Sequence, residues 1–287
     1  VGTPLNFIGM TKHAPSERAR RNQKLIMGPW IHQINTSTKI GAIDFGPDAV
    51  IDLKGYQLRW FNRWLKGEKN GIDEEKPVKI FVMGRNEWVE EAAWPLPNTK
   101  WTRFYLHSGG RANSRFGDGV LSMHPPETGE AEADSYDYDP SDPVPFITDM
   151  VSNQIGGADD YSAIERRDDV LVYSTPPLDA DVEVTGPVKM ELYASSDAKD
   201  TDFMVKLLDV HPNGFAQRLT DGMVRARFRN GMDRPELIKP GVIYKFEIDC
   251  WNTSHVFKKG HRIRIEIASS AFPKYDVNLN TGAPLGK

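Results

Sequence analysis

One histidine follows a short apolar run at a position where α/β enzymes keep their catalytic groups. Leu25–Met27 has no polar alternation, which is typical of a strand buried on both faces. Gly28 and Pro29 then end the strand, because proline cannot donate to a β-ladder. His32 comes next, in a loop at the carboxyl edge of the predicted sheet. His32 is therefore a candidate catalytic residue, and the alternative is a loop histidine that packs beside Trp30 with no chemical role.

A serine or cysteine nucleophile is not indicated by the rest of the sequence. The Gly-x-Ser-x-Gly elbow of serine hydrolases does not occur in it. Ser108, in the segment His-Ser-Gly-Gly at 107–110, lacks the elbow spacing and is interpreted as part of a hairpin turn. Cys250 falls on the inward-facing side of an alternating strand, which favours an inert core thiol.

The sequence predicts neither a metal site nor a cofactor site. His211, His255 and His261 are far apart and have no spacing that suggests zinc. The acidic segment 197–202 lacks the glycine and the terminal glutamate of a calcium loop, so turn capping is favoured over calcium. A second acidic run is interpreted as solvated, and it contains Asp134, Asp137, Asp139 and Asp142. A glycine-rich phosphate loop is also missing from the sequence.

The bulk composition is that of an ordinary globular protein of 287 residues, 39% hydrophobic and 26% charged. The net charge of -4 does not favour binding to nucleic acid or to an anionic membrane. No apolar run approaches the roughly 20 residues that a bilayer span requires. The single cysteine excludes an internal disulfide framework and leaves the compartment open between periplasmic or secreted and cytoplasmic.

The elements that must position His32 are a strand before it and a helix after it. Apolar residues recur at helical spacing from Val50 to Leu65, with Asp48 as the predicted cap and Lys66-Gly67 as the stop. Residues 1–67 are therefore predicted to form one unit. Residues 68–76 are charged and lack periodicity, which indicates a linker.

Short strands separated by turns predict a β-sandwich over residues 77–287. Residues 78–83 and 101–106 form the first strands, and the clearest alternation lies at 188–192, 243–250 and 262–267. Each of these last three strands has one apolar and one polar face, as in two packed antiparallel sheets. The turn spacing suits a jelly roll, and the predicted fold class is therefore mainly β.

Several segments together resemble one family. Gly28-Pro29-Trp30-Ile31-His32 resembles the segment with the catalytic histidine in the group of cocaine esterases, α-amino-acid ester hydrolases and glutaryl acylases, which is allied to the X-Pro dipeptidyl peptidases. The segment 58–67 looks like the last helix of that group's hydrolase domain. Segments similar to loops of its galactose-binding-like jelly roll lie at 138–145, 167–171, 198–203, 269–273 and 278–282.

The resemblance implies an acyl hydrolase with a Ser-His-Asp triad, of which His32 is the one member that maps onto this sequence. The family's nucleophile elbow lies upstream of anything here, and Val1-Gly2-Thr3 resembles the residues directly after its catalytic aspartate. Glu17 is the only acidic residue before His32, and it is not proposed as a triad member. We therefore expect the carboxyl-terminal part of a longer enzyme, inactive by itself.

The expected partner is a small-molecule ester or amide substrate, without nucleic acid or membrane. Because one strand and one aromatic helix cannot bury themselves, the missing hydrolase portion or a second copy is expected to cover Trp60, Phe61 and Trp64. Two alternatives remain open. The chain is a non-catalytic jelly-roll module for binding or support, or it belongs to an X-Pro dipeptidyl peptidase.

Overall fold

The computed structural model describes residues 2–127, 132–148 and 157–284. The chain divides into two compact units. The amino-terminal unit extends to Lys100 and includes Glu183–Gly186 and Ser254–Val256. The sandwich unit contains Trp101–Val182, Pro187–Thr253 and the chain from Phe257 onward.

The described part of the amino-terminal unit contains the α-helices α1 Gly2–His13, α2 Glu17–Arg21 and α3 Leu53–Phe61. Helix α3 begins later than the sequence predicts. Its cap is Asp52, whose side chain accepts from the Gly55 amide at 2.8 Å. The predicted cap Asp48 instead lies in a separate 3₁₀ turn, Pro47–Ala49. The helix continues as a π-helical turn, Asn62–Lys66, and ends at Gly67 in the left-handed conformation, as the stop signal predicts.

The aromatic face of α3 is only partly covered within the described residues. The Trp60 and Trp64 rings contact each other at 5.5 Å between centroids, and the Arg18 guanidinium lies 4.8 Å from the Trp64 ring. Phe61 remains 56% exposed and Leu65 78% exposed. The apolar spacing therefore predicts the helix correctly, while much of its apolar face stays at the surface.

Short strands complete the described part of the amino-terminal unit: β1 Leu25–Met27, β2 Lys39–Ile40, β3 Ile43–Asp44, β4 Val78–Val82 and β5 Glu87–Glu91. Strand β1 pairs in parallel with β4, and β4 pairs antiparallel with β5. The sequence places residues 78–83 in the sandwich, whereas the structure groups this strand with β1. Hydrophobic periodicity identifies a strand but contains no information about its pairing partner.

The predicted linker 68–76 is packed against the amino-terminal unit. Ile72 within it is fully buried. Asp73 accepts from Arg63 at 2.6 Å, and Glu75 forms an ion pair with Arg59. The charges that suggest a solvated connector are thus the partners of the basic residues on and after α3.

The remaining strands are β6 Tyr105–His107, β7 Val120–Ser122, β8 Leu171–Ser174, β9 Val182–Ala194, β10 Asp202–Val210, β11 Ala216–Arg225, β12 Tyr244–Phe257 and β13 Arg262–Ala268. The 3₁₀ turns Ile164–Arg166 and Ala226–Phe228 lie between them. One sheet has the order β11-β10-β13-β8-β7-β6, and a second pairs β12 with β9. The chain is mainly β, with a jelly-roll type of sandwich, as predicted.

The two sheets differ in the exposure of their polar residues. In β12, buried Phe246, Ile248 and Cys250 alternate with exposed charged residues, as predicted. Strand β10 is buried along its whole length, including Lys206. On the predicted polar face of β13, Glu266 is buried too, whereas Arg262 and Arg264 are partly exposed. Among the helices that the structure describes, none is both long enough and apolar enough to cross a bilayer.

Candidate functional site

The loop that presents His32 begins with a close contact at the end of β1. A Cβ atom on Gly28 would lie 2.5 Å from the Trp30 ring, closer than carbon atoms approach in proteins. Glycine at this position therefore lets the indole fold back against the strand end. Pro29 follows and cannot continue the ladder, which turns the chain out of the sheet. His32 thus lies at the carboxyl edge of a strand that pairs in parallel with β4.

Trp30 anchors the loop on its amino-terminal side. Its indole N–H donates to the Ala49 carbonyl at 2.7 Å. The ring lies 5.7 Å from that of Trp88, which itself donates to the Asp48 carbonyl at 2.7 Å. Two indoles thus hold the loop and the 3₁₀ turn together, and each has its polar N–H satisfied.

Asn35 anchors the loop on its carboxyl-terminal side. Its Nδ2 donates to the Ile51 carbonyl at 2.7 Å, and its Oδ1 accepts from the Ile51 amide at 2.8 Å. The backbone of Asn35 is left-handed, with φ of 57°, a conformation that asparagine tolerates better than most residues. The loop is therefore fixed two residues before His32 and three residues after it.

His32 lies exposed between these two anchors. The backbone carbonyl of His32 accepts from the Ile34 amide at 3.0 Å, and its imidazole is at the surface of the amino-terminal unit. His32 is exposed, whereas the Trp30 ring packs on that of Trp88.

The other sequence candidates have structural roles. Ser108 donates to Asp134 at 2.6 Å within a turn where Gly110 has a φ of 80°. Glu17 pairs with Arg21 on the surface of α2. Cys250 is buried, and burial raises the pKa of its thiol to about 12, which agrees with an inert core thiol.

In the acidic segment 197–202, Asp200 and Asp202 pair with arginines, whereas the sequence favours turn capping. Asp200 accepts from the Arg227 Nε at 2.7 Å and from its backbone amide at 2.9 Å. Asp202 accepts from two nitrogens of Arg225 at 2.8 and 2.9 Å. Asn278 donates to both carboxylates, so the two aspartates form a buried ionic cluster. Asp197 is exposed, as a solvated residue would be.

The second acidic run is largely solvated, as predicted, with one exception. Asp134 accepts hydrogen bonds from the Ala112 amide at 2.7 Å and from the Tyr173 hydroxyl at 2.6 Å. Asp137, Asp139 and Asp142 are exposed, and they line an open pocket of about 520 Å³.

His211 and His261 lie close together, although they are distant in the sequence. Their rings are 4.4 Å apart between centroids, and Asp209 lies beside both. His255 lies elsewhere, in the amino-terminal unit next to Met83. The expectation that these three histidines are separate is therefore wrong for two of them. The signal that was missed is that His211 directly follows β10 and His261 directly precedes β13, so antiparallel pairing of these strands brings the two residues together.

The chain matches a described family over most of its length. Residues 70–285 match the X-Pro dipeptidyl-peptidase C-terminal non-catalytic domain. The match begins near the predicted linker, whereas the division into two compact units places the boundary at residue 100. The two boundaries differ because β4 and β5 belong to the matched region and pair with β1.

Relatives include a cocaine esterase from Rhodococcus sp. (strain MB1 Bresler), 44% identical over 92% of this chain and 46% of that protein. A putative serine esterase from Mycobacterium bovis is 32% identical over 92% of this chain and 44% of its own length. The chain thus spans about half the length of the curated relatives it matches.

Solved structures also match this chain over nearly its whole length and over about half of their own. An α-amino-acid ester hydrolase superposes with a TM-score of 0.81 and 28% identity, over 97% of this chain and 47% of that one. An aminopeptidase from a marine sediment archaeon of the Thaumarchaeota superposes with a TM-score of 0.73 and 26% identity, over 91% of this chain and 44% of that one. The chain therefore belongs to the X-Pro dipeptidyl-peptidase C-terminal domain family, within the group of cocaine-esterase-like and α-amino-acid ester hydrolase-like proteins.

Proposed function

We propose that this chain is the carboxyl-terminal part of a serine hydrolase that cleaves esters or amides, with His32 as the general base. The observation that carries the proposal is the His32 loop. Its imidazole is exposed between two anchors, at the carboxyl edge of a strand in a parallel pair. Such an edge is where α/β enzymes position groups that act on a substrate.

In the proposed mechanism His32 takes the proton of a serine hydroxyl as that oxygen attacks the acyl carbon, and then returns the proton to the leaving group. The serine and the aspartate of the triad come from sequence that this chain does not span. The oxyanion hole normally uses the backbone N–H beside the nucleophile, so it too comes from there. The chain by itself is therefore expected to turn over no ester.

Two esterases among the relatives, at 44% and 32% identity, support an ester as the first substrate class. An X-Pro dipeptidyl peptidase is the second candidate. It is supported by a putative enzyme of that name from Bacillus anthracis, 23% identical over 89% of this chain. A non-catalytic jelly-roll module is the third, supported by the description of the family over residues 70–285.

The test uses the longer protein encoded by the reading frame that contains this chain. We expect His32→Ala to lower kcat for ester hydrolysis by about 10⁴-fold or more, with little change in KM, because the base acts in the transition state. His124→Ala is the matched control, since His124 is also an exposed loop histidine. An equal and small effect of both variants would contradict the proposed role of His32.

The reading frame itself separates the remaining candidates. A Gly-x-Ser-x-Gly elbow upstream supports the hydrolase, whereas its absence supports the non-catalytic module. Parallel assays with an aryl ester and an X-Pro dipeptide amide then distinguish the two substrate classes. Ester hydrolysis by the purified 287-residue chain above the buffer rate would contradict the proposed division of the triad.

A further inference from the structure

The register of the central sheet brings four metal-binding side chains to one face of it. Strands β10 and β13 pair antiparallel, with Val210 opposite Arg262 and Asp209 opposite Ile263. His211 and His261 each lie one residue beyond the Val210–Arg262 pair, so they are a cross-strand pair at the end of the ladder.

Alternation along the strand places Asp209 on the same face as His211, because residues two apart point the same way. Gln217 of β11 is the partner of Asp209 on its other side, and directly opposite residues share a face. Three neighbouring strands thus contribute two imidazoles, a carboxylate and an amide to one end of the sheet.

The side chains converge as the register predicts. The His261 Nδ1 lies 2.9 and 3.0 Å from the two carboxylate oxygens of Asp209. The His211 Nε2 lies 3.8 Å from Asp209 Oδ2 and 3.2 Å from Gln217 Oε1. Asp209 is only 1% exposed, while the two histidine side chains are 26% and 15% exposed. The cluster is therefore built on a buried carboxylate and remains open to an ion from solution.

We propose that Asp209, His211 and His261 bind one divalent transition-metal ion, with Zn²⁺ the best fit and Gln217 Oε1 or water as the fourth ligand. One ligand atom from each of the three residues lies within 4.8 Å of the others. Ligand atoms around tetrahedral zinc are about 3.4 Å apart, given bonds of about 2.0–2.1 Å. The difference is at most about 1.4 Å, which a movement of the partly exposed His211 ring closes.

The donor set selects the class of ion. Imidazole nitrogens suit zinc, nickel and copper, whereas calcium and magnesium prefer oxygen ligands alone. The ion would take the place of the hydrogen bond between His261 Nδ1 and Asp209, and the single N–H proton of the neutral imidazole would then be on Nε2. A bound ion would tie the end of β10 to β13, which is a structural role and not a part of the proposed hydrolysis.

The experiment is a calorimetric titration of the metal-free 287-residue chain with ZnCl₂. We expect one Zn²⁺ per chain and an increase in Tm. His211→Gln and His261→Gln each remove a ligand nitrogen and are expected to weaken binding by at least about tenfold, since even second-shell changes have effects of that size. His124→Gln is the control and should bind like the parent.

Co²⁺ provides a second readout that does not depend on affinity. Its visible d–d absorption is expected to be strong in the parent chain and lost in His211→Gln. His211 is the most exposed of the three ligands, so this variant decides the question even if His261→Gln fails to fold. Absence of Zn²⁺ binding by the parent, or equal binding by the parent and both glutamine variants, would overturn the proposal.

Discussion

The His32 loop of the amino-terminal unit and the buried ion pairs of the sandwich unit differ in the exposure of their polar groups. In the amino-terminal unit, His32 is exposed on a loop whose anchors, Trp30 and Asn35, use neutral hydrogen bonds. In the sandwich unit, carboxylates and guanidinium groups are buried against each other, as in the pairs of Asp200 with Arg227 and Asp202 with Arg225. The first arrangement leaves an imidazole at the surface, and the second satisfies charges internally.

A second buried network lies on the polar face of the large sheet. Lys206 donates to Glu266 at 3.0 Å, and both side chains are almost fully buried. Arg264 donates to Glu165 at 2.5 Å and to the Ser174 hydroxyl at 2.7 Å. A sheet buried on both faces has to pair its charges, because an isolated buried charge is very unfavourable. Removal of one partner should therefore affect the sandwich more than removal of a loop anchor affects the His32 loop.

The largest effect is expected for Asp200→Ala. This change leaves Arg227 buried without its carboxylate and removes an acceptor of Asn278. Breaking a buried ion pair in this way typically lowers the free energy of unfolding by about 3–5 kcal/mol. Urea unfolding followed by circular dichroism measures the loss.

Asp197→Ala is the matched control, because Asp197 belongs to the same acidic segment and is exposed. We expect its free energy of unfolding to change by less than about 0.5 kcal/mol. If the two variants lose the same stability, the distinction between the buried cluster and a solvated acidic run fails.

The second effect is a pH dependence that originates at Glu165. Burial and the neighbouring Glu266 carboxylate raise the pKa of Glu165 from 4.5 to about 7. The nearby Arg264 acts in the opposite direction but does not cancel the shift. Because this pKa is above that of glutamate in the unfolded chain, the contribution of Glu165 to the free energy of unfolding is complete below about pH 4.5. It is lost as pH rises towards 7, by at most about 1.4 kcal/mol per pH unit.

Glu165→Gln removes the titration and keeps a side chain of nearly the same shape. The difference in free energy of unfolding between the parent chain and this variant should shrink or change sign between pH 5 and pH 8, in favour of the variant at high pH. Urea unfolding of both proteins across that range measures it. A constant difference would mean that the buried network does not respond to pH.

The sequence predicted elements better than it predicted their partners. Alternation identified β12 and β13, and the short apolar run identified β1. The pairing of β4 with β1 was missed, because periodicity describes one strand and not its neighbour. The burial of charged residues along β10 was also missed. Asp202, Lys206 and Asp209 are of residue types that usually lie at the surface, and only the tertiary structure supplies their partners.

At the candidate site, too, local patterns predicted a residue but not the residues that it contacts. His32 was proposed from local order, because a strand, a Gly-Pro stop and a loop histidine are adjacent in the chain, and from the resemblance of residues 28–32 to a family segment. Its anchors could not be predicted, since Trp30 contacts Ala49 and Asn35 contacts Ile51, 19 and 16 residues away. The cluster of His211 and His261 depends on a strand register, which single-sequence patterns do not specify.

The smallest effect is expected at the loop anchor Asn35. Asn35→Ala removes two hydrogen bonds to Ile51 and places alanine at a left-handed φ of 57°, which should lower the free energy of unfolding by about 1–2 kcal/mol. Asn35→Asp keeps the oxygen that accepts from the Ile51 amide and tolerates the same backbone conformation. Hydrogen exchange at the Ile51 amide separates the two variants, because protection should fall in Asn35→Ala and persist in Asn35→Asp. If Ile51 remains equally protected in both, Asn35 does not hold the His32 loop, and the contrast between a loop fixed by neutral bonds and a sandwich fixed by buried charges is lost.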